Sequence, residues 1–103
     1  MKSSAPAKRI LVIDDEPRLA QSLASLLRGV GYEVRAAIGG PEGLRCLNAE
    51  DYDLVITDLR MPEVSGFEIM HHVAERRPRT ALIVITGHAS TESAIEADRK
   101  SVV

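Results

Sequence analysis

Three short apolar runs, Ile10–Ile13, Leu54–Ile56 and Ala81–Ile85, carry no polar residue at alternate positions. A strand with one face in water alternates apolar and polar residues, so uninterrupted runs of this length suit strands buried on both faces. Between the first two runs, Leu19, Leu23, Leu26, Leu27 and Val30 recur at helical spacing behind Pro17, a residue suited to the first helical turn. That pattern predicts an amphipathic helix ended by Gly29 and Gly31. Tyr32–Ala37 reads as a second, more polar strand, and Gly39-Gly40-Pro41 opens a short helix to about Asn48. Phe67, Met70, Val73 and Ala74 mark a further helix stopped by Pro78, and a last helix starts at Ser90 or Thr91, with Glu92 in its first turn. Strands that alternate with helices in a chain this short predict an α/β fold, a doubly wound parallel sheet with helices on both faces.

Composition narrows the partners. The 103 residues carry a net charge of -2, with 13 Lys and Arg against 15 Asp and Glu and no basic run. This leaves no electrostatic footprint for direct nucleic-acid binding or for an anionic membrane surface. The single cysteine, Cys46, excludes an intramolecular disulfide and a cysteine-based zinc cluster, and fits a reducing, cytoplasmic setting. Residues 1–8 have no apolar stretch and read as a flexible leader, not a signal peptide. No apolar run approaches the ~18 residues of a membrane span.

Acidic residues gather where the strands end. Asp14, Asp15 and Glu16 follow the first run, and Asp58 follows Ile56-Thr57. In open parallel sheets, ligands bind at the carboxyl ends of the strands. Should the two strands be neighbours, like charges at ~4 Å would cost on the order of 4 kcal/mol per pair at an effective dielectric of ~20. Raised carboxyl pKa values or a hard divalent cation such as Mg²⁺ would offset that repulsion. Each residue also has a plainer reading: Asp14 or Asp15 can cap the helix that Pro17 begins, and Asp58 can be a solvated strand end. Thr86 and Gly87 follow the fourth strand, and a hydroxyl beside flexible backbone can hold phosphoryl oxygens. The acids at two tips and the hydroxyl at a third favour a phosphate and metal site.

The segments Ile10–Pro17 (ILVIDDEP), Asp53–Gly66 (DLVITDLRMPEVSG) and Ile83–Ser90 (IVITGHAS) resemble, in order and spacing, the receiver domain of two-component response regulators. The resemblance runs from about Lys8 to Ala97 and implies a flavodoxin-like sheet in the strand order 2-1-3-4. It implies a phosphoacceptor signalling domain and not a stand-alone enzyme. Asp58 would take a phosphoryl group from a histidine kinase or phosphotransfer protein. Asp15, Asp58 and the backbone carbonyl of Arg60 would ligate Mg²⁺, with Asp14 acting through water, and Thr86 with Gly87 would meet the phosphoryl oxygens.

The family pattern continues with a fifth strand ending in Lys and a fifth helix, whereas this sequence ends at Val103 and departs from the pattern after Ala97. Residues 9–103 therefore read as an incomplete receiver. Lys100 is a poor substitute for the missing Lys, so weak switching is expected, and a degenerate binding or dimerisation module is the alternative reading. The exposed edge at Leu82–Ile85 and the loss of cover over Leu23, Leu26 and Leu27 predict a homodimer through the fourth strand or the last helix. A haloacid dehalogenase-type phosphatase is disfavoured, since Arg60 stands where that pattern needs a second Asp. His71, His72 and His88 read as ordinary polar residues, Cys46 as a small buried hydrophobe, and Arg76, Arg77 and Arg79 as a helix-ending basic cluster that needs no partner.

Overall fold

The computed structural model describes residues 7–85. The expected last helix, Thr86, Gly87, His88 and Lys100 lie outside these residues, as does most of the expected leader. The described elements are β1 (Arg9–Asp14), α1 (Pro17–Val30), β2 (Glu33–Ile38), α2 (Gly40–Ala49), β3 (Leu54–Asp58), α3 (Gly66–Arg76) and β4 (Ala81–Ile85). All strand pairs are parallel, in the order β2-β1-β3-β4. The chain steps outward from β1 to β2 and then crosses back over β1 to β3. Right-handed crossovers running in opposite directions place their helices on opposite faces.

The two faces of β1 show why its run is uninterrupted. Leu11 and Ile13 enter one core with Ala37, Leu47, Val55, Ile69 and Val73, beneath α2 and α3. Ile10 and Val12 enter a second core with Ala20 and Ile56, beneath α1. Helix α1 seats itself through Ala20 and Ala24, both fully buried, with Leu23 and Leu27 half-buried beside them. The small alanines let the helix lie close to the sheet, which turns the larger Leu19, Leu26 and Val30 outward. Helix α3 likewise buries Ile69 and Val73, one turn apart, and leaves Phe67 and Ala74 exposed. The apolar residues expected to mark these two helices are therefore only partly the ones that pack.

Local chemistry sets the helix ends. Gly31 adopts φ 118 after α1, a left-handed conformation that favours glycine, and its N–H donates to the Arg28 carbonyl at 3.0 Å. At α3, the Ser65 hydroxyl accepts the Glu68 N–H while the Glu68 carboxylate accepts the Ser65 N–H, a reciprocal cap. Arg77 does have partners, contrary to expectation. Its guanidinium donates to the Leu47 carbonyl at 2.7 Å and pairs with Asp51 at 3.2 Å, tying the end of α3 to the end of α2.

Cys46 is buried, as expected, and His71 is exposed beside Glu75. His72 differs, because its Nε2 is buried without a hydrogen-bond partner. Desolvation first, then the Arg76 and Arg77 charges, hold its pKa below the ordinary imidazole value, with Glu75 opposing them. The unfolded chain thus takes up this proton more readily than the folded one. Stability from this group is complete above the unfolded pKa of ~6.5 and falls as pH drops through that value toward the lower folded pKa. Thermal melts from pH 7.5 to 5.5 should show a smaller acid-side loss for His72→Gln than for the native chain.

Candidate functional site

In the parallel register of β1 and β3, Ile13 stands beside Thr57, so the next residue of each strand is an aspartate. Asp14 is 3% exposed and Asp58 1%, while Asp15, one step past the strand, is half-buried. Each offers a carboxylate oxygen, and these oxygens lie within 4.8 Å of one another. The plainer reading of the acidic pair as helix caps fits poorly. The residue capping α1 is Glu16, which makes no side-chain cap bond, and Asp14 Oδ1 accepts the Glu16 N–H at 2.9 Å before the helix begins. Asp58 Oδ1 accepts the Leu59 N–H at 2.8 Å, which fixes that carboxylate over the start of the following loop.

The donors are all oxygens and all ionisable. Three carboxylate oxygens within 4.8 Å of one another suit a hard divalent cation that keeps part of its water shell. The donor set therefore fits Mg²⁺ in kind and charge.

The loop between β3 and α3 runs past this cluster and is held at several points. Leu59 N–H donates to the Ile85 carbonyl at 3.0 Å, Gly66 N–H to the Leu59 carbonyl at 2.8 Å, and Val64 N–H to the Pro62 carbonyl at 2.7 Å. Met61 is 8% exposed and packs into the α2–α3 core, so it anchors the loop as well as shaping it. A Cβ at Gly66 would stand 2.5 Å from the Asp58 carbonyl oxygen, so only glycine lets α3 start this close to the acidic strand tip. Arg60 lies in the loop and lines an open depression of about 620 Å³ with Leu59, Met61, Pro62, Ser65 and Phe67. Of the sequence-predicted site residues, Asp14, Asp15 and Asp58 are thus together, Arg60 is in the adjoining loop, and Thr86 and Gly87 are outside the described residues.

The family model for the response regulator receiver domain matches residues 10–102. The chain belongs to the response regulator receiver domain family. It is 40% identical over 100 residues to the transcriptional regulatory protein GlrR of Escherichia coli K12, which covers 97% of this chain and 22% of that protein. The chain thus spans about a fifth of that curated relative. A receiver domain protein of Methanospirillum hungatei superposes with a TM-score of 0.78 and 32% identity, over 91% of this chain and 75% of the other. The response regulator TrrA of Thermotoga maritima, solved in complex with Mg²⁺ and BeF, gives a TM-score of 0.73 at 29% identity, covering 93% and 99% of the two chains. In a complex of TrrA with the histidine kinase ThkA, the match has a TM-score of 0.73 and 36% identity over 87% of this chain and 78% of that one. The doubly wound sheet in the order 2-1-3-4 is the receiver architecture.

Glu63, in the loop of this receiver, has φ 69, an uncommon left-handed conformation for a residue with a side chain. Glu63→Gly should be tolerated with little loss or some gain in stability, whereas Glu63→Val, β-branched at that φ, should cost about 1–3 kcal/mol. Urea denaturation of the two variants checks the order.

Proposed function

We propose that the chain receives a phosphoryl group on Asp58 from the phosphohistidine of a histidine kinase or phosphotransfer protein. The observation that carries this reading is the convergence of the Asp14, Asp15 and Asp58 carboxylates within 4.8 Å at two adjacent strand tips. An Asp58 carboxylate oxygen attacks phosphorus, the phosphorus–nitrogen bond breaks, and the imidazole leaves with the electron pair and takes a proton. The product is an acyl phosphate. Such transfers need in-line placement and charge neutralisation more than covalent assistance. When bound, Mg²⁺ supplies positive charge opposite the phosphoryl oxygens.

Asp15 and Asp58 would hold that ion directly, joined by the Arg60 carbonyl, with Asp14 acting through water. Thr86 and Gly87 would receive the phosphoryl oxygens. Burial of Asp14 and Asp58 keeps these carboxylates in place and limits water at the reacting centre. The Mg²⁺ complex of TrrA and its complex with a kinase support the cofactor and the partner by analogy. The chain acts as a signalling acceptor that assists only its own phosphorylation and dephosphorylation. A leader over 1–8, a receiver unit over 9–103 and a cytoplasmic setting belong to the same reading. Among the described residues, no helix is long and apolar enough to cross a membrane. The alternative of a degenerate, non-switching module is not favoured, given the match of residues 10–102 to the receiver family and the kinase complex of TrrA.

Incubation with a small phosphodonor and Mg²⁺ should label the native chain, and Asp58→Asn should abolish the label. Asp14→Asn should weaken Mg²⁺ binding while leaving the acceptor in place. Phosphate uptake by Asp58→Asn would refute the assignment. Self-association through β4 or the segment after it is a further part of the proposal, with Ile83 of β4 48% exposed among the described residues. Sedimentation velocity at micromolar concentration should show a dimer, and a monomer across that range would remove this part.

A further inference from the structure

The junction between β2 and α2 meets the Asp14 strand tip on one side and the β3–α3 loop on the other without contributing a carboxylate. Gly39 donates its N–H to the Asp14 carbonyl at 2.9 Å, which pins the junction to the tip of β1. It does so with φ 99 and ψ 159, a conformation open essentially to glycine alone. The next residue, Gly40, faces the other side. A Cβ there would fall inside the Val64 carbonyl oxygen and Val64 Cβ and would stand 2.9 Å from the Val64 carbonyl carbon. Val64 sits in the β3–α3 loop, downstream of Arg60 and inside the segment closed by the Gly66-to-Leu59 hydrogen bond. The Gly39-Gly40 pair therefore spans from the backbone of Asp14 to the backbone of the loop that carries Arg60.

The geometry points to Gly39 and Gly40 as positioning residues for the acidic site: a rigid strut from the N-terminus of α2 that fixes the β3–α3 loop against the Asp14 strand tip. The obstacle to a side chain at position 40 includes a backbone carbonyl, not the end of a flexible side chain. Adding a methyl group must therefore move either the loop or the helix. The loop is a short irregular segment anchored by Met61 and a few backbone hydrogen bonds, whereas α2 is a regular helix seated in the core along its length through Gly43, Cys46 and Leu47. Displacement falls on the loop. The Arg60 carbonyl then shifts relative to Asp14, Asp15 and Asp58. Supporting contacts of this kind around metal ligands are worth roughly 10–100-fold in metal affinity.

The inference rests on the reading of this site as a Mg²⁺ and phosphoryl site. The test is calorimetric titration of Mg²⁺ into the metal-free native chain, Gly40→Ala and the control Leu27→Ala in the opposite core, alongside backbone amide spectra of each without metal. Gly40→Ala should lower Mg²⁺ affinity by on the order of tenfold and displace the Arg60, Met61 and Val64 amide signals. Leu27→Ala should lower the melting temperature with native Mg²⁺ affinity. Native affinity in a folded Gly40→Ala overturns the inference and leaves the proposed function standing. A native chain that binds no Mg²⁺ overturns both. If Gly40→Ala fails to fold, Val64→Gly removes the Cβ that faces Gly40 and loosens the contact from the loop side. A several-fold loss of affinity there supports the strut, and native affinity overturns it.

Discussion

The parallel register between β1 and β3 is the constraint on which the site depends. Pairing Ile13 with Thr57 makes Asp14 and Asp58 consecutive neighbours at the sheet's carboxyl edge. A slip of one residue would separate them and would also turn each strand's side chains to the opposite face. Both faces of β1 are buried, so the register is enforced by two cores and not one: Leu11 and Ile13 under α2 and α3, Ile10 and Val12 under α1. Packing thus determines where charge is placed.

The same packing keeps that placement despite its cost. Carboxylates driven together at nearly complete burial repel each other, and unsupported strand ends would splay to relieve the strain. Here each acidic tip is held by backbone hydrogen bonds: Asp14 through the Glu16 and Gly39 N–H groups, Asp58 through that of Leu59. The Glu16 and Leu59 N–H groups fix the direction of the two carboxylates, and the Gly39 N–H holds the Asp14 main-chain carbonyl. A preorganised anionic cluster of this kind attracts a divalent cation without having to assemble around it.

The sheet and the acidic trio were legible because they are written locally. Apolar runs ending in Asp-Asp or Thr-Asp give strand, burial and edge in one short segment. The α3 cap is also written locally, as Ser65-Gly66-Phe67-Glu68, but its first half overlaps the end of the loop motif. Other features have no local signature. Arg77 meets the Leu47 carbonyl 30 residues away, and the basic cluster by itself gives no sign of that partner. The buried stripes of α1 and α3 differ from the expected ones because Ala20, Ala24 and Gly66 permit close approach. Apolar spacing ranks the larger Leu26 and Phe67 above these small residues.

Small residues recur where helices meet the site. Gly66 starts α3 against the Asp58 carbonyl, Gly40 starts α2 against Val64, and Gly43 of α2 lies against Ile13, the residue before Asp14. At each, a side chain would push a helix or loop away from an acidic strand tip. Glycine at a helix start costs conformational entropy, so a chain shaped for stability alone would favour alanine at the helical positions. The glycines instead permit contacts that no larger residue could make at the same spacing. Helix starts are thereby brought close to the Asp58 backbone and to the side chain of Ile13, the residue before Asp14. Close approach at Gly66 and Gly43 is how this fold seats α3 and α2 against the two strands that carry the acidic tips.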